Sequence, residues 1–506
     1  MLRVALVRCA LLGALALSAA VLAAPGAVAS TGAPPTPAPT TAAPPASNGP
    51  TVTPKVTICD KYCDGRDPAL AAQDRTAVTA TTAGRQLSLH LDDSDDMGWG
   101  ALANSSPGDE LWLDRSFDAG RSWASGSKIG DTRTPAGYPG WRTLMFNVDD
   151  WNDNGVGLLR ACAQAAGGTA ITCTDWRRTT WNANDRRAAA ATALMEDYDN
   201  GTGLFDTTGW WNSANALTAI IGDIRAAGMG SYTYAIARTY DKNLSAQGGN
   251  FTNAYNDDTL WWGLAWVAAY DVTGDSRYLN TARFDADHVY SYWDGTCGGG
   301  VWWSSAKTYK NAIPNSLYIQ LNAALHNRIA GDSVYLQRAR AGWTWFRNSG
   351  LINGQNLVND GLTTGCANNN QATWSYNQGV PLAALAELYR ATGNTAYLDQ
   401  ARTLANASTT STVLNTNGIL HDPGEQPGGG GADGPTFKGV YARDLAALNA
   451  TLSDHPYTNY LKRQADSAYA SDRNGFDHYG LVWSGPFDQS DAARQQSALD
   501  LLNATG

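Results

Sequence analysis

Two aspartates stand side by side, Asp257 and Asp258, in the segment NAYNDDTLWW, where a long apolar and aromatic stretch begins. An aspartate in the first turn of a helix accepts backbone N–H groups and complements the helix dipole, and one aspartate would suffice for this. The second adds charge repulsion, and the following Trp261-Trp262 pair removes water from both carboxyl groups. Neighbouring carboxyl groups in such surroundings separate their pKa values, which leaves one ionised and one protonated near neutral pH. The pair therefore indicates either a helix cap or the two acids with which a glycosidase breaks a sugar–sugar bond.

The start of the chain has the features of a secretory signal. Arg3 and Arg8 precede an apolar run, and the small residues up to Ala29 fit a signal-peptidase site, which predicts a signal peptide at 1–29. Residues 30–56 are rich in Pro, Thr and Ala and predict an extended linker. We therefore expect a secreted, extracellular protein that keeps no membrane attachment once the signal is cleaved.

The composition excludes some partners and favours others. The net charge is −10 and no Lys/Arg-rich run occurs, so nucleic acids and anionic membranes are poor candidates. Charged residues make up only 16% of a chain that holds 19 Trp and 22 Tyr. Such a composition suits sugars, whose C–H faces stack on aromatic rings, although Trp also fills protein cores.

The cysteines are candidates for disulfides, and the cysteines and histidines are candidates for metal ligands. Six cysteines remain after the signal leaves with Cys9, and an even number in an exported protein predicts disulfides. Six thiols allow about 15 pairings, and proximity along the chain favours Cys59–Cys63, Cys162–Cys173 and Cys297–Cys366. The Cys59-x-x-x-Cys63 spacing also fits half of a zinc site, but no second ligand pair follows it and the histidines are scattered. We expect no metal and no cofactor.

Residues 57–180 predict a small all-β domain. Segments such as RQLSLHL and ELWLDRSF alternate apolar and polar residues and are separated by hairpin signals. SFDAGRSW, which ends at Trp123, resembles an Asp-box, in which Asp and Gly shape a turn and the Trp packs beneath it. The sequence from Asp150 to Gly155 imitates the start of a calcium loop, but Ala161 stands where the closing Glu belongs. Calcium binding and a carbohydrate-binding role for this domain both remain alternatives.

From residue 185 onwards the apolar period changes from two to about 3.6 residues, which predicts helices. Twelve helical segments follow, at roughly 185–199, 212–226, 231–244, 256–271, 276–292, 311–330, 333–348, 374–392, 395–410, 437–453, 456–472 and 489–504.

A repeated Tyr-Leu pair, at Tyr278, Tyr335, Tyr397 and Tyr460, recurs about every 60 residues, the length of one helix hairpin and its loop. Six such hairpins at 185–505 fit either an open solenoid or a closed ring. Their number and period resemble an (α/α)6 toroid, so we expect a mainly α fold preceded by the small all-β domain.

The loops predict where the toroid binds its ligand. Connections that lead into the segments at 311, 374 and 437 are long, whereas VTGD, IAGD and ATGN on the other side are short. Long ordered loops are usually functional. We therefore expect one end of the ring to carry a polar cleft.

Several motifs in this order, NAYNDDTLWW, CGGGVWW, YKNAIPNSL, TWSYNQG and FKGVYARDL, resemble glycoside hydrolase family 76, the bacterial and fungal α-1,6-mannanases. The resemblance covers about 185–505 and leaves out the β domain. It implies an (α/α)6 fold and a secreted bacterial endo-α-1,6-mannanase that acts with retention of configuration. On the family pattern Asp257 is the nucleophile and Asp258 the general acid/base, roles that spacing alone does not distinguish.

Aromatic and amide side chains near the starts of the inner helices are the expected substrate contacts. Rings would stack on mannose faces, and amides and cations would bind hydroxyls or neutralise carboxylates. The candidates are Trp211, Asn212, Asn256, Trp302, Asn311, Tyr376, Asn377, Lys438 and Arg443.

The expected partner is an α-1,6-mannan of fungal or actinobacterial cell walls, bound by a monomer. Two alternatives remain: a mannan transglycosidase, in which a sugar acceptor replaces water, and a non-catalytic mannan-binding protein on the same fold.

Overall fold

A ring of helices forms the larger part of the computed structural model, which describes residues 64–150, 156–180, 185–227 and 230–505. Within these residues twelve α-helices occur, and they confirm the twelve segments predicted from the apolar period. The helices are α1 Arg186–Glu196, α2 Trp210–Ala227, α3 Tyr234–Asn243, α4 Asn256–Thr273, α5 Ser276–Tyr290, α6 Ala312–Arg328, α7 Val334–Asn348, α8 Ser375–Thr392, α9 Ala396–Thr410, α10 Gly434–Thr451, α11 Thr458–Ser471 and α12 Ala492–Asn503.

The even-numbered helices form an inner ring. Each of α2, α4, α6, α8 and α10 packs against the next even-numbered helix, and α12 packs back on α2 to close the ring. The odd-numbered helices lie outside, with α5, α7 and α9 each against the helix that precedes it and α1 against α12 and α2. This arrangement is the expected (α/α)6 toroid.

Burial explains the two classes of helix. Inner helices are apolar around most of their circumference; in α4, Leu260, Trp262 and Trp266 are all fully buried. Outer helices other than α1 are amphipathic and bury one stripe, as α11 does with Leu461 and Ala465.

The two ends of the ring differ as predicted. The connections after α4 and α8 are short, and each begins at a glycine with positive φ, Gly274 and Gly393, that ends the helix. The connections that lead into inner helices are long and gather at the opposite end.

Loops of neighbouring hairpins cap the inner helices at that end. The Asn256 N–H, at the start of α4, donates to the Trp303 carbonyl at 2.8 Å, and the Ala312 N–H of α6 donates to the Asp360 carbonyl at 2.8 Å. The Ser375 N–H of α8 donates to Asp422 at 2.6 Å. Each of these acceptors lies in the loop that leads into the next inner helix, so adjacent hairpins are held together at the cleft end.

Two antiparallel sheets form the β region between residues 64 and 180. Its strands are β1 Arg75–Thr82, β2 Arg85–Asp92, β3 Met97–Ala103, β4 Glu110–Ser116, β5 Lys128–Arg133, β6 Gly140–Arg142, β7 Phe146–Asn147, β8 Leu158–Gln164 and β9 Ile171–Cys173.

One sheet has the order β1-β2-β3-β6, with β7 also paired to β3, and the other has the order β5-β4-β8-β9. Inward leucines such as Leu89 on β2, Leu113 on β4 and Leu159 on β8 share one buried cluster, so the sheets pack face to face.

The Asp-box-like turn is formed, with one difference from the expectation. Asp118 accepts the Arg121 N–H at 3.0 Å, and Gly120 adopts φ +75° where a Cβ would collide with Trp176. Trp123, however, is 55% exposed. The prediction that it packs beneath the turn is therefore wrong, because Trp176 occupies the position against the turn glycine.

The β region docks on helix ends of the ring. Arg121 donates to the carbonyls of Met195 and Glu196 at the end of α1, at 2.6 and 2.9 Å. Arg178, which is 3% exposed, pairs with Asp477 at 3.2 Å, in the loop before α12. Charged hydrogen bonds at buried positions thus fix this region to the end of the ring that carries the long loops.

Two disulfides, Cys162–Cys173 and Cys297–Cys366, join the pairs that sequence proximity favours. The expected Cys59–Cys63 pair, the signal at 1–29, the linker at 30–56 and the asparagines of the calcium-like loop lie outside the described residues. Within the described part of the chain, no helix combines the length and apolar character needed to cross a membrane.

Two glycines allow inner helices to approach closely. A Cβ on Gly379 of α8 would lie 2.7 Å from the Tyr441 Cα of α10, and one on Gly439 of α10 would lie 2.4 Å from the Ser497 Cα of α12. Both neighbours are backbone atoms, which cannot rotate away.

We expect Gly439→Ala to destabilise the protein by about 1–3 kcal/mol, because the added methyl group forces α10 and α12 apart. Urea unfolding measures the change. Gly434→Ala on the same helix is the matched control, since no atom lies within 4 Å of its added Cβ. Equal stability of the two variants would contradict the close-packing account.

Candidate active site

The adjacent aspartates lie in the first turn of α4, at the cleft end of the ring. Tyr255, the residue before the helix, is extended, and it pairs with Ser304 in a short antiparallel bridge. Asp257 and Asp258 therefore emerge from a backbone that is fixed by the helix on one side and by the 303–305 segment on the other.

Asp257 is held by an indole. Trp303 donates its Nε1–H to Asp257 Oδ2 at 3.0 Å. Oδ1 of Asp257 is buried and has no hydrogen-bond partner among the described residues. One oxygen is thus oriented by the protein, and the other is free to react.

Asp258 is held by an amide. Asn253 donates from Nδ2 to Asp258 Oδ2 at 2.6 Å. The Asn253 side chain in turn accepts the Tyr255 N–H at 2.8 Å, so its orientation is fixed from both ends.

Burial raises the pKa of both carboxyl groups. Loss of water raises the pKa of Asp257 well above its usual value, repulsion by Asp258 adds to this, and the Trp303 N–H opposes it. Loss of water also raises the pKa of Asp258, to about 6; the Asn253 bond opposes this and the nearby Asp433 charge adds to it. In the unliganded chain the pair therefore retains a proton in mildly acidic solution, and the larger rise of the Asp257 pKa favours that residue as its carrier.

Further acids and aromatic rings surround the pair. Asp433 is exposed and accepts the Trp211 Nε1–H at 2.8 Å. Asp360 accepts the Tyr309 hydroxyl at 2.6 Å, and burial raises its pKa. Tyr376 stacks on Phe437 with centroids 4.0 Å apart.

Burial raises the Tyr376 pKa most, and the charges of Asp360, Asp257, Asp433 and Asp422 raise it further. The Tyr376 ring therefore faces an acidic cleft that is lined by aromatic side chains.

Four predicted substrate contacts lie in or beside this cleft. Trp211 and Tyr376 contribute half-buried rings. Asn311 is buried beside Gly361, next to Asp360, and its Oδ1 has no partner among the described residues. The Asn377 amide lies beside Asp360, outside ordinary hydrogen-bond geometry.

Three further predicted contacts have side chains that are buried and bonded within the protein. Lys438 is 1% exposed and pairs with Glu425 at 2.8 Å. Asn212 donates to Thr436 at 2.8 Å and links α2 to α10. Asn256 donates to the Trp302 carbonyl at 2.8 Å.

The remaining two predicted contacts, Trp302 and Arg443, are half-buried and serve internal bonds. Trp302 donates to Asp294 at 2.7 Å. Arg443 donates to Asp500 at 2.9 Å and to Asn215 at 2.8 Å. Both side chains thus hold loops or inner helices together.

The glycine-rich loop before α6 also has a structural explanation. A Cβ on Gly299 or Gly300 would lie within 2.8 Å of the Trp345 ring, and both residues have positive φ. Lys310 donates to the carbonyls of Gly299 and Gly300, and also to Asp294. The glycines thus let the loop pack on Trp345 while its carbonyls converge on one buried ammonium group.

The site residues missed in the sequence are Asn253, Trp303, Asp360 and Asp433. Trp303 is the second Trp of GGGVWW, and nothing in the sequence distinguishes it from Trp302. Asn253, four residues before Asp257, carried the clearest available signal, since a polar side chain just ahead of a helix folds back on its first turn.

Side chains that could hold a metal ion form a cluster in the β region. The one group found within the described residues is Asp114, Cys162 and Cys173 in the β region, and its two sulfurs are joined in a disulfide. A single remaining carboxylate does not form a metal site.

Solved structures share this fold. The α-1,6-mannanase GH76A of Salegentibacter sp. HEL1_6 superposes with a TM-score of 0.57 at 23% identity, over 63% of this chain and 98% of that one. An inactive variant of the same enzyme, with two consecutive aspartates replaced, was solved in complex with α-1,6-mannotetrose (TM-score 0.57, 22% identity, 63% of this chain and 97% of that one).

Yeast proteins are similar in sequence. A putative mannan endo-1,6-α-mannosidase of Schizosaccharomyces pombe is 28% identical over 342 residues, 61% of this chain and 76% of the relative. The mannan endo-1,6-α-mannosidase DFG5 of Saccharomyces cerevisiae is 27% identical over 353 residues, 62% of this chain and 76% of the relative. Residues 169–505, well over half of the chain, match the profile of glycosyl hydrolase family 76. The chain therefore belongs to glycosyl hydrolase family 76 and is a glycosidase.

Proposed function

We propose that this protein is a secreted endo-α-1,6-mannanase that retains the anomeric configuration. The observation that carries the proposal is the desolvated pair Asp257 and Asp258 at the head of α4, where both pKa values are raised and one Asp257 oxygen is free. The names of the yeast relatives support the substrate, and so does the Salegentibacter variant, which is inactive without two consecutive aspartates.

Two displacements account for hydrolysis. In the first, a carboxylate oxygen of Asp257 attacks the anomeric carbon of a mannosyl unit, and Asp258 gives its proton to the departing glycosidic oxygen. In the second, Asp258 takes a proton from water, whose oxygen attacks the same carbon and releases Asp257. Each displacement inverts the carbon, so the product keeps the α configuration.

The roles of nucleophile and acid determine which of the two aspartates must carry the proton. Asp257 must be ionised when it attacks, whereas burial favours a proton on it in the empty cleft. The Trp303 N–H stabilises the ionised form, and the positive charge that develops on the sugar in the transition state does the same. Once substrate is bound, the proton that the two carboxyl groups share must therefore lie on Asp258.

Substrate contacts follow from the cleft lining. Trp211 and Tyr376 present rings for the C–H faces of mannose. Asp360 and Asp433 carry carboxylate oxygens that can accept sugar hydroxyls, in addition to their bonds from Tyr309 and Trp211. A cleft of acids and rings, with Lys438 and Arg443 occupied elsewhere, suits an uncharged polysaccharide.

The proposed location is outside the cell, in line with the two disulfides and the signal-like start of the sequence. The proposed partner is the α-1,6-mannan of a fungal or actinobacterial cell wall, with the chain acting as a monomer.

Incubation with unbranched α-1,6-mannan and sizing of the products tests the activity. We expect short manno-oligosaccharides from internal cleavage, with the same products when oligomannose acceptors are added. Products longer than the starting chains would indicate transfer in place of hydrolysis. Binding of mannan by the intact, folded protein with no new reducing ends would contradict the proposal.

Azide separates the two catalytic roles. The substrate is a dinitrophenyl α-1,6-mannotrioside, whose leaving group departs without an acid. Azide is an anion and attacks without a base. Azide should therefore restore turnover of this substrate by Asp258→Ala and give the α-mannosyl azide. Asp257→Ala should give only the β-mannosyl azide, because azide then attacks in a single displacement. On mannan itself, loss of the acid/base should lower kcat by roughly 10²–10⁴-fold.

Nuclear magnetic resonance of the azide products checks this prediction, and Asp433→Asn is the control that should not respond to azide. The reverse pattern of α and β azides would reverse the roles of the two aspartates.

The pH profile should depend on Asp433. Its negative charge raises the pKa of Asp258, which must be protonated to act as an acid. Asp433→Asn removes the charge and can still accept the Trp211 N–H, so the alkaline limb of kcat/KM should move to lower pH. Asp454→Asn, which removes an exposed charge paired with Arg402, serves as the control and should not move the limb. A limb that stays in place, or moves to higher pH, would show that Asp433 does not act on the catalytic acid.

A further inference from the structure

Tyr255 is an exposed aromatic residue at the rim of the cleft. It is 43% exposed, whereas most of the large aromatic side chains of the ring are buried or half-buried. Its ring lies 5.0 Å from the Trp303 ring between centroids, at an angle of 50°. Tyr255 therefore presents an aromatic surface to solvent while a second ring supports it from one side.

The backbone around Tyr255 is fixed. The Ser305 N–H donates to the Ala254 carbonyl at 2.8 Å, and the Asn256 N–H donates to the Trp303 carbonyl at 2.8 Å. These bonds lie on either side of the bridge between Tyr255 and Ser304. The exposure of the ring thus results from a paired backbone and not from a loose loop.

Two different residues connect Tyr255 to the two carboxyl groups of the site. Asn253 accepts the Tyr255 N–H at 2.8 Å and donates to Asp258 at 2.6 Å. Trp303 contacts the Tyr255 ring and donates to Asp257 at 3.0 Å. The ring therefore has a set position relative to the bond that the two acids would break.

We propose that Tyr255 is a sugar-stacking residue that binds a mannosyl unit at the rim, next to the unit whose bond is cleaved. The inference rests on the proposed function, because it names how that site holds its substrate.

The surroundings of the ring suit this occupant. Ala254, Ser305 and Ala306, the chain neighbours of Tyr255 and of its bridge partner, are exposed, small and uncharged. The next charged side chain, Lys307, has its ammonium group over the Tyr292 ring. A flat ring among small residues suits the C–H face of a neutral sugar. It is too little apolar surface for a protein partner, which buries about 800 Å² on each side.

Calorimetry on the full chain tests the inference without turnover. The parent is the Asp257→Ala/Asp258→Ala chain, titrated with α-1,6-mannotetrose. Adding Tyr255→Ala or Tyr255→Leu should raise the Kd about tenfold, because both remove the flat ring. Tyr255→Phe keeps the ring and should change the Kd less than about twofold.

Phe284→Ala is the matched control, since Phe284 is a 47% exposed ring on the outer helix α5. It should leave the Kd unchanged. If the parent binds the tetrasaccharide and both Tyr255→Ala and Tyr255→Leu bind it equally well, the inference is wrong and the mannanase proposal stands. If the folded parent does not bind the tetrasaccharide, the proposed function fails and the inference fails with it.

Discussion

Repulsion between two desolvated carboxyl groups at the head of one buried helix is the constraint on which the site depends. Moving an isolated carboxylate out of water costs several kcal/mol even after relaxation, so two adjacent ones are not both ionised without compensation. Here the compensation is partial: an indole N–H for Asp257, an amide for Asp258 and the first turn of α4 for both. The part of the desolvation cost that is not compensated raises both pKa values. A raised carboxyl pKa is what acid catalysis at mildly acidic to neutral pH requires.

The ring supplies the rigidity that keeps this pair in place. Loops of one hairpin cap the inner helix of another, so Trp303 reaches Asp257 only because the loop before α6 is fixed. That loop is fixed by Lys310 on its carbonyls, by Asn315 on Val301, and by the disulfide from Cys297 to Cys366. Several residues that were predicted to contact substrate therefore bond within the protein and hold in place the side chains that face the cleft.

Sequence patterns predicted the architecture more completely than the site. The 3.6-residue period located all twelve helices, and the loop lengths located the cleft end, because both depend on local chemistry. The aspartate pair was singled out because capping needs only one of the two charges, but the resemblance to the family, and not the spacing, favoured catalysis over a helix cap. Trp303 and Asp433 were not identified, since their positions depend on which loops meet the starts of α4 and α2 in the folded ring. For Lys438 the sequence left open whether it binds a sugar hydroxyl or neutralises a carboxylate, because no local pattern shows that Glu425 lies 2.8 Å from it.

The order in which the two product anomers form depends on whether the two adjacent acids perform two displacements, so it is the first measurement to make. Proton nuclear magnetic resonance can follow α-1,6-mannotetrose digestion within the first minutes, before mutarotation mixes the products. Two displacements would make the new reducing end appear first as the α anomer, which then equilibrates. A β anomer that appears first would mean single displacement by water, and it would contradict a nucleophilic role for either aspartate.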